Sequence, residues 1–194
     1  MKFLIAGLGN IGDEYSNTRH NIGFDIADSL AASCVKEKER SSNLFSDSRH
    51  AMIAHAKFKG KQITIIKPST FMNLSGKAVN YWLAQEKIAG ENLLVVADDI
   101  ALPFGKIRIK KQGSDGGHNG LTSVIEMLGT DNFPRLRFGI GGDFPRGKQA
   151  DYVLEKWNAE ERKMLDEKIA AATEAIKSFI TIGIEKTMTQ FNKM

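Results

Sequence analysis

The sequence predicts a single-domain α/β three-layer sandwich, a mixed and mostly parallel sheet with helices on both faces. Two runs, Phe3-Leu4-Ile5-Ala6 and Leu93-Leu94-Val95-Val96-Ala97, are apolar without alternation, as expected of strands covered on both sides. Segments with helical apolar spacing stand between the predicted strands, which is the order of a sheet wrapped by helices. The first strand ends in Gly7-Leu8-Gly9-Asn10, where glycines let the chain turn sharply. A helix then carries Ile22, Ile26, Ala27, Leu30 and Ala31 on one face. Residues 36–47 are polar and predict no buried strand. Residues 51–59 and 62–67 read as a hairpin through Gly60, the antiparallel part of the sheet. Residues 73–87 form a helix with Val79, Trp82 and Leu83 inward, and the strand 93–97 runs into Asp98-Asp99. A basic strand at 106–110, a glycine-rich loop, a helix at 121–128 and a strand at 136–140 follow. Asn158 with Glu161 three residues on is a helix-start signal, and Leu165, Ile169, Ala172, Ile176 and Ile180 make one stripe beyond it. The whole chain, 1–194, reads as one domain with a C-terminal helical segment at about 184–194.

Composition narrows the class. A chain of 194 residues is long enough for one sizeable core. No apolar run reaches the ~18 residues of a membrane span, and the start is too short and too soon polar for a signal peptide. The expectation is a cytoplasmic protein without a membrane association. The single cysteine, Cys34, reads as a small side chain against the core, and no intrachain disulfide can form. The 27 lysines and arginines exceed the 23 acids only slightly, so their distribution matters more than their sum. In Lys106-Ile107-Arg108-Ile109-Lys110 the strand period of two sends the isoleucines to one face and the cations to the other. Arg135-Leu136-Arg137-Phe138 repeats that pattern and predicts more outward cations. A polyphosphate such as nucleic acid is the partner that would relieve a row of like charges.

Gly7, Gly9 and Gly12 also satisfy G-x-G-x-x-G, so a dinucleotide-dependent oxidoreductase is one reading. That motif works only where its last glycine opens a helix onto a pyrophosphate. Here Asp13-Glu14-Tyr15-Ser16-Asn17-Thr18 intervenes, and helical spacing begins only at Ile22. Four polar clusters follow apolar segments instead: Asn10 with His20, Met72-Asn73, Asp98, and His118-Asn119. In an open α/β sheet such strand ends converge. They would gather a candidate base, a carboxylate and neutral amides, with no nucleophile elbow and no H-E-x-x-H or C-x-x-C spacing for a metal. This set suits hydrolysis by an activated water. Imidazole, with an ordinary pKa near 6.5, accepts a proton at cellular pH. A carboxylate such as Asp98 fixes its tautomer, and amides hold a developing oxyanion.

Gly7-Leu8-Gly9-Asn10 with Thr18-Arg19-His20-Asn21-Ile22-Gly23-Phe24, Lys67-Pro68-Ser69-Thr70-Phe71-Met72-Asn73, Asp98-Asp99, Gly116-Gly117-His118-Asn119-Gly120-Leu121 and Arg135-Leu136-Arg137-Phe138-Gly139 together resemble the bacterial-type peptidyl-tRNA hydrolase family. The resemblance covers nearly the whole chain. It implies a monomeric, cytoplasmic enzyme with no obligate protein partner, metal or cofactor. Such an enzyme cleaves the ester between a peptide and the tRNA 3′ ribose and recycles tRNA from stalled or aborted translation. By matched position, His20 resembles the base and Asp98 its orienting partner. Asn10, Tyr15, Phe71, Asn73, His118 and Asn119 resemble substrate-binding residues. Lys110 and Arg137 resemble the cations that grip the tRNA 5′ phosphate, with Arg108 supporting them, and the C-terminal segment would lie near the acceptor stem. Departures fall at Ile11, Phe71, Ala97 and Ala101, where the family usually has proline, tyrosine, histidine and often an acid. A non-catalytic RNA-binding protein on the same scaffold is the rival reading, and the joint presence of His20, Asp98 and Asn73 argues against it.

Overall fold

The computed structural model describes residues 1–35 and 44–193. Among these residues seven strands form one sheet: β1 (Lys2–Gly7), β2 (Ser46–Ser48), β3 (Ala51–Phe58), β4 (Lys61–Pro68), β5 (Leu93–Asp99), β6 (Ile107–Lys110) and β7 (Arg135–Gly139). Six α-helices accompany them among the described residues: α1 (Ile22–Ser33), α2 (Ser75–Glu86), α3 (Asn119–Leu128), α4 (Gln149–Leu154), α5 (Ala159–Ile182) and α6 (Ile184–Phe191). The strand order is β2-β3-β4-β1-β5-β7-β6. The central strands β4, β1, β5 and β7 are mutually parallel, while β2, β3 and β6 pair antiparallel at the flanks.

Alternation along the covered strands builds two cores. Phe3, Ile5, Leu94, Val96, Leu136 and Phe138 face α1 and α5, where they meet Ile22, Ile26, Leu30, Ala172 and Ile176. Leu4, Ala6, Leu93, Val95 and Ala97 face α2 and α3, against Val79, Trp82, Leu121 and Val124. The predicted sandwich is therefore present, with its helix stripes buried as the spacing requires. The Asn158–Glu161 signal is a complete capping box at the start of α5.

The glycines where β1 meets α1 serve packing. A Cβ on Gly7 would lie 2.1 Å from the Gly23 carbonyl oxygen, and one on Gly23 would lie 2.3 Å from that of Leu8. The end of β1 and the start of α1 touch backbone to backbone, which only glycine permits. Gly12 leads only into the single 3₁₀ turn Asp13–Tyr15, and α1 does not begin until Ile22, so no α-helix N-terminus follows the glycines and the dinucleotide reading fails on geometry.

Several elements differ from the sequence expectation. Ser46–Ser48 is a short, exposed edge strand; of the polar stretch 36–47, residues 36–43 lie outside the described ones. Phe45, beside it, is buried in the α1/α5 core. No separate helix was expected at the six-residue α4. Gly183, where φ is 83°, parts α5 from α6, which begins at Ile184 in the C-terminal segment expected at 184–194. Met194 of the 184–194 segment lies outside the described residues. At the other edge, Asn192 bonds both backbone groups of Ile109, accepting its N–H at 2.7 Å and donating to its carbonyl at 2.8 Å. One amide side chain thus stands where another strand would pair with β6.

The outward reading of the β7 cations needs correction. Arg108 and Lys110 on β6 are exposed, but Arg135 is fully buried and Arg137 half-buried. Both arginines face the α2/α3 side, where the loop between β6 and α3 folds over them. Arg137 donates to the Ser114 carbonyl at 2.7 Å and pairs with Asp99 at 3.2 Å. Strand period gives the face of a residue and not what covers that face.

Candidate active site

All the polar clusters lie where the parallel strands end, the usual ligand position of an open α/β sheet. Asn10 follows β1, His20 sits in the 3₁₀ turn Arg19–Asn21, Asp98 closes β5, and Met72–Leu74 is a turn between β4 and α2. His118 and Asn119 begin α3. These residues line one cleft of about 780 Å³, together with Phe71, Asn73, Asp99, Arg137, Arg146 and the α4 side chains Val153 and Leu154.

Asp98 is the hub. Its buried Oδ1 accepts from His20 Nδ1 at 2.8 Å and from His118 Nε2 at 2.9 Å. Burial opposes ionisation of Asp98, but the two imidazoles outweigh it and hold the carboxyl well below the usual carboxylate range. With Nδ1 of His20 committed, its Nε2 is the nitrogen left for the cleft. Asn21 locks the neighbouring loop: its side chain accepts the Asn10 N–H at 2.8 Å and donates to the Asn10 carbonyl at 3.0 Å. Asn10 Oδ1 in turn accepts the Met72 N–H at 2.8 Å. The Nδ2 hydrogens are what Asn10 has left to offer a ligand.

His118 lines the same cleft, and its ring is also engaged within the protein. Its Nδ1 accepts from the backbone N–H groups of Gly120 at 3.1 Å and Leu121 at 3.3 Å, capping α3. Both ring nitrogens are thereby used inside the protein. The same fact bears on metal binding. His20, Asp98 and His118 present three potential ligand atoms within 4.8 Å of one another. A metal on His118 Nε2 would force the proton to Nδ1, against two N–H donors, so the donor set does not fit one.

Of the remaining sequence candidates, Asn73, Asn119 and Phe71 line the cleft, and Phe71 is 56% exposed within it. Tyr15, half-buried in its own 3₁₀ turn, is not among the lining residues. Arg108 and Lys110 lie beyond the cleft on β6, opposite Arg137 and Arg135 in register. The α4 wall, with Phe144, Arg146 and Leu154, was missed by sequence reasoning. Its only signal is the short apolar run Tyr152-Val153-Leu154, too brief to show a period.

The peptidyl-tRNA hydrolase family model matches residues 4–194. The chain belongs to the peptidyl-tRNA hydrolase family. It is 54% identical over 194 residues to the peptidyl-tRNA hydrolase of Phocaeicola vulgatus, covering 100% of both chains. It is 47% identical over 192 residues to that of Porphyromonas gingivalis, covering 99% of this chain and 100% of that one. The crystal structure of peptidyl-tRNA hydrolase from Acinetobacter baumannii superposes with a TM-score of 0.86 at 31% identity, over 98% of this chain and 94% of that chain. Family membership across the full length accounts for the order and spacing of the motifs that line the cleft.

Proposed function

We propose that this member of the family hydrolyses the ester joining a peptide to the 3′ ribose of tRNA, with His20 as the general base. The observation that carries the reading is the 2.8 Å contact between His20 Nδ1 and Asp98 Oδ1 inside a cleft lined by three asparagines. Asp98 holds the imidazole with Nε2 toward the cleft, where it takes a proton from water as that water attacks the ester carbonyl. The imidazolium that forms is stabilised by the carboxylate. Asn10, Asn73 and Asn119 supply neutral N–H dipoles for the peptide and for the oxyanion. The proton returns through His20 to the leaving ribose oxygen, so no net charge accumulates.

Neutral dipoles also account for selectivity. A free α-ammonium would have to shed its water among groups arranged for a peptide amide, which disfavours aminoacyl-tRNA. The test is deacylation of N-acetyl-aminoacyl-tRNA against the unblocked aminoacyl-tRNA, with a chelator present. Rapid turnover of the blocked substrate alone is expected. Binding of tRNA without turnover would favour a binding module, and equal turnover of both substrates would remove the selectivity argument. The same reading makes the chain a monomeric cytoplasmic enzyme that recycles tRNA from stalled translation.

Arg108 and Lys110 suit the acceptor stem because they are exposed and share the face of the sheet on which Arg137 borders the cleft. Lys110→Ala is expected to weaken tRNA binding and to lower the slope of log affinity against log salt by about one, with kcat at saturation unchanged. A titration series at several ionic strengths measures this. Arg137→Ala is expected to act differently, lowering kcat as well, because Arg137 also neutralises Asp99 and holds the Ser114 carbonyl.

A further inference from the structure

We propose that His118 is a positioning residue locked in its Nε2–H tautomer by the first backbone amides of α3, and that its hydrogen bond to Asp98 weakens the hold of that carboxylate on protonated His20. The inference deepens the proposed function and rests on His20 as the base.

Two donors converge on one oxygen. Asp98 Oδ1 receives His20 at 2.8 Å and His118 at 2.9 Å, and both imidazoles are nearly enclosed. The direction of the second bond is fixed by His118 Nδ1, which faces the N–H groups of Gly120 and Leu121 and can only accept. A neutral ring that accepts at Nδ1 carries its proton on Nε2. Protonating Nδ1 would oppose two N–H dipoles at the positive end of α3, so the ring stays a neutral donor. The rings of His20 and His118 lie 5.0 Å apart, and the locked tautomer keeps a second positive charge away from His20 when it takes its proton.

The consequence falls on the base. Negative charge on Asp98 Oδ1 favours imidazolium at His20, and a second hydrogen bond to that oxygen withdraws part of it. The carboxylate therefore holds the imidazolium of His20 less tightly than it would with His20 as its sole donor. The other charged groups around the cluster do not duplicate the effect. Asp99 of β5 and Arg137 of β7 pair with each other at 3.2 Å. Arg146, from the segment before α4, lines the cleft, and Arg19 turns away to Glu155 and Glu161.

His118→Asn separates the two contacts. Asparagine is a strong N-cap and keeps the bond to the α3 amides, but its shorter side chain does not reach Asp98. In the substrate-free protein, an NMR titration of His20 is expected to move up by about half to one pH unit, a three- to tenfold change in acid constant. The acid limb of kcat/KM should move with it, so that activity falls most below neutrality. An unmoved His20 titration in a folded variant overturns the proposal. So does a ¹⁵N spectrum of the parent protein showing Nδ1 of His118 protonated, a result that needs no variant. A moved titration with an unmoved rate profile supports the coupling and removes His20 as the base, which separates the two readings.

Discussion

Replacing His20 with alanine is expected to lower kcat for peptidyl-tRNA cleavage by roughly 10² to 10⁴-fold, the range of general-base catalysis, while affinity for tRNA changes little. The asymmetry follows from position. His20 sits at the inner end of the cleft against buried Asp98, whereas the exposed cations of β6 that suit phosphate lie outside it. Removing the imidazole takes away the proton acceptor and leaves the amides of Asn10, Asn73 and Asn119, so the residual rate should still exceed that of the ester in water. Single-turnover kinetics with enzyme in excess, alongside a binding titration, measures both quantities. A rate within threefold of the parent would remove His20 from the chemistry. Asp98→Asn is expected to lose comparably, because both rings donate to the one oxygen Oδ1, and a neutral amide oxygen there can still accept from them but no longer stabilises the imidazolium that His20 becomes.

The fold was legible where burial is two-sided and periodic. Phe3 to Ala6 and Leu93 to Ala97 read as covered strands, and each supplies alternate residues to the two cores. The α5 stripe and its Asn158 cap read equally well because twenty-four residues give the period room to repeat. Elements of three and six residues, β2 and α4, carry too little pattern to be seen. At the site, His20 and Asp98 were marked by chemistry at strand ends, though they are 78 residues apart in the chain. The tautomer proposed for His118 was not legible, since it depends on the ring turning its Nδ1 onto the backbone amides of Gly120 and Leu121.

Arg135 is the sharpest case of a residue whose face was legible and whose environment was not, and it sets the largest stability effect expected of this chain. The guanidinium is fully buried and donates to four carbonyls: those of Gly113 and Ser114 through Nη1, with Ser114 at 3.1 Å, and those of Asp131 and Phe133 through Nη2, at 2.6 and 3.4 Å. It also stacks over the Phe133 ring, 4.2 Å from the centroid. Burial, with Arg137 alongside, pulls its pKa down to about 10, so it stays charged at neutral pH. A single side chain therefore ties the loop that leads into His118 to the turn that precedes β7. Arg135→Met keeps most of the volume and strands those carbonyls, each costing about 1 to 3 kcal/mol where water cannot reach. Partial relief by water entering the loop brings the expected loss to about 3 kcal/mol, roughly a hundredfold in the unfolding constant. Urea denaturation should show a lower midpoint with the slope retained. Arg135→Lys, which keeps the charge but offers one nitrogen in place of a fork, should fall between parent and Met variant. A Met variant within about 1 kcal/mol of the parent would mean the four carbonyls find other donors, and Arg135 would then lose its role as the anchor of the His118 loop.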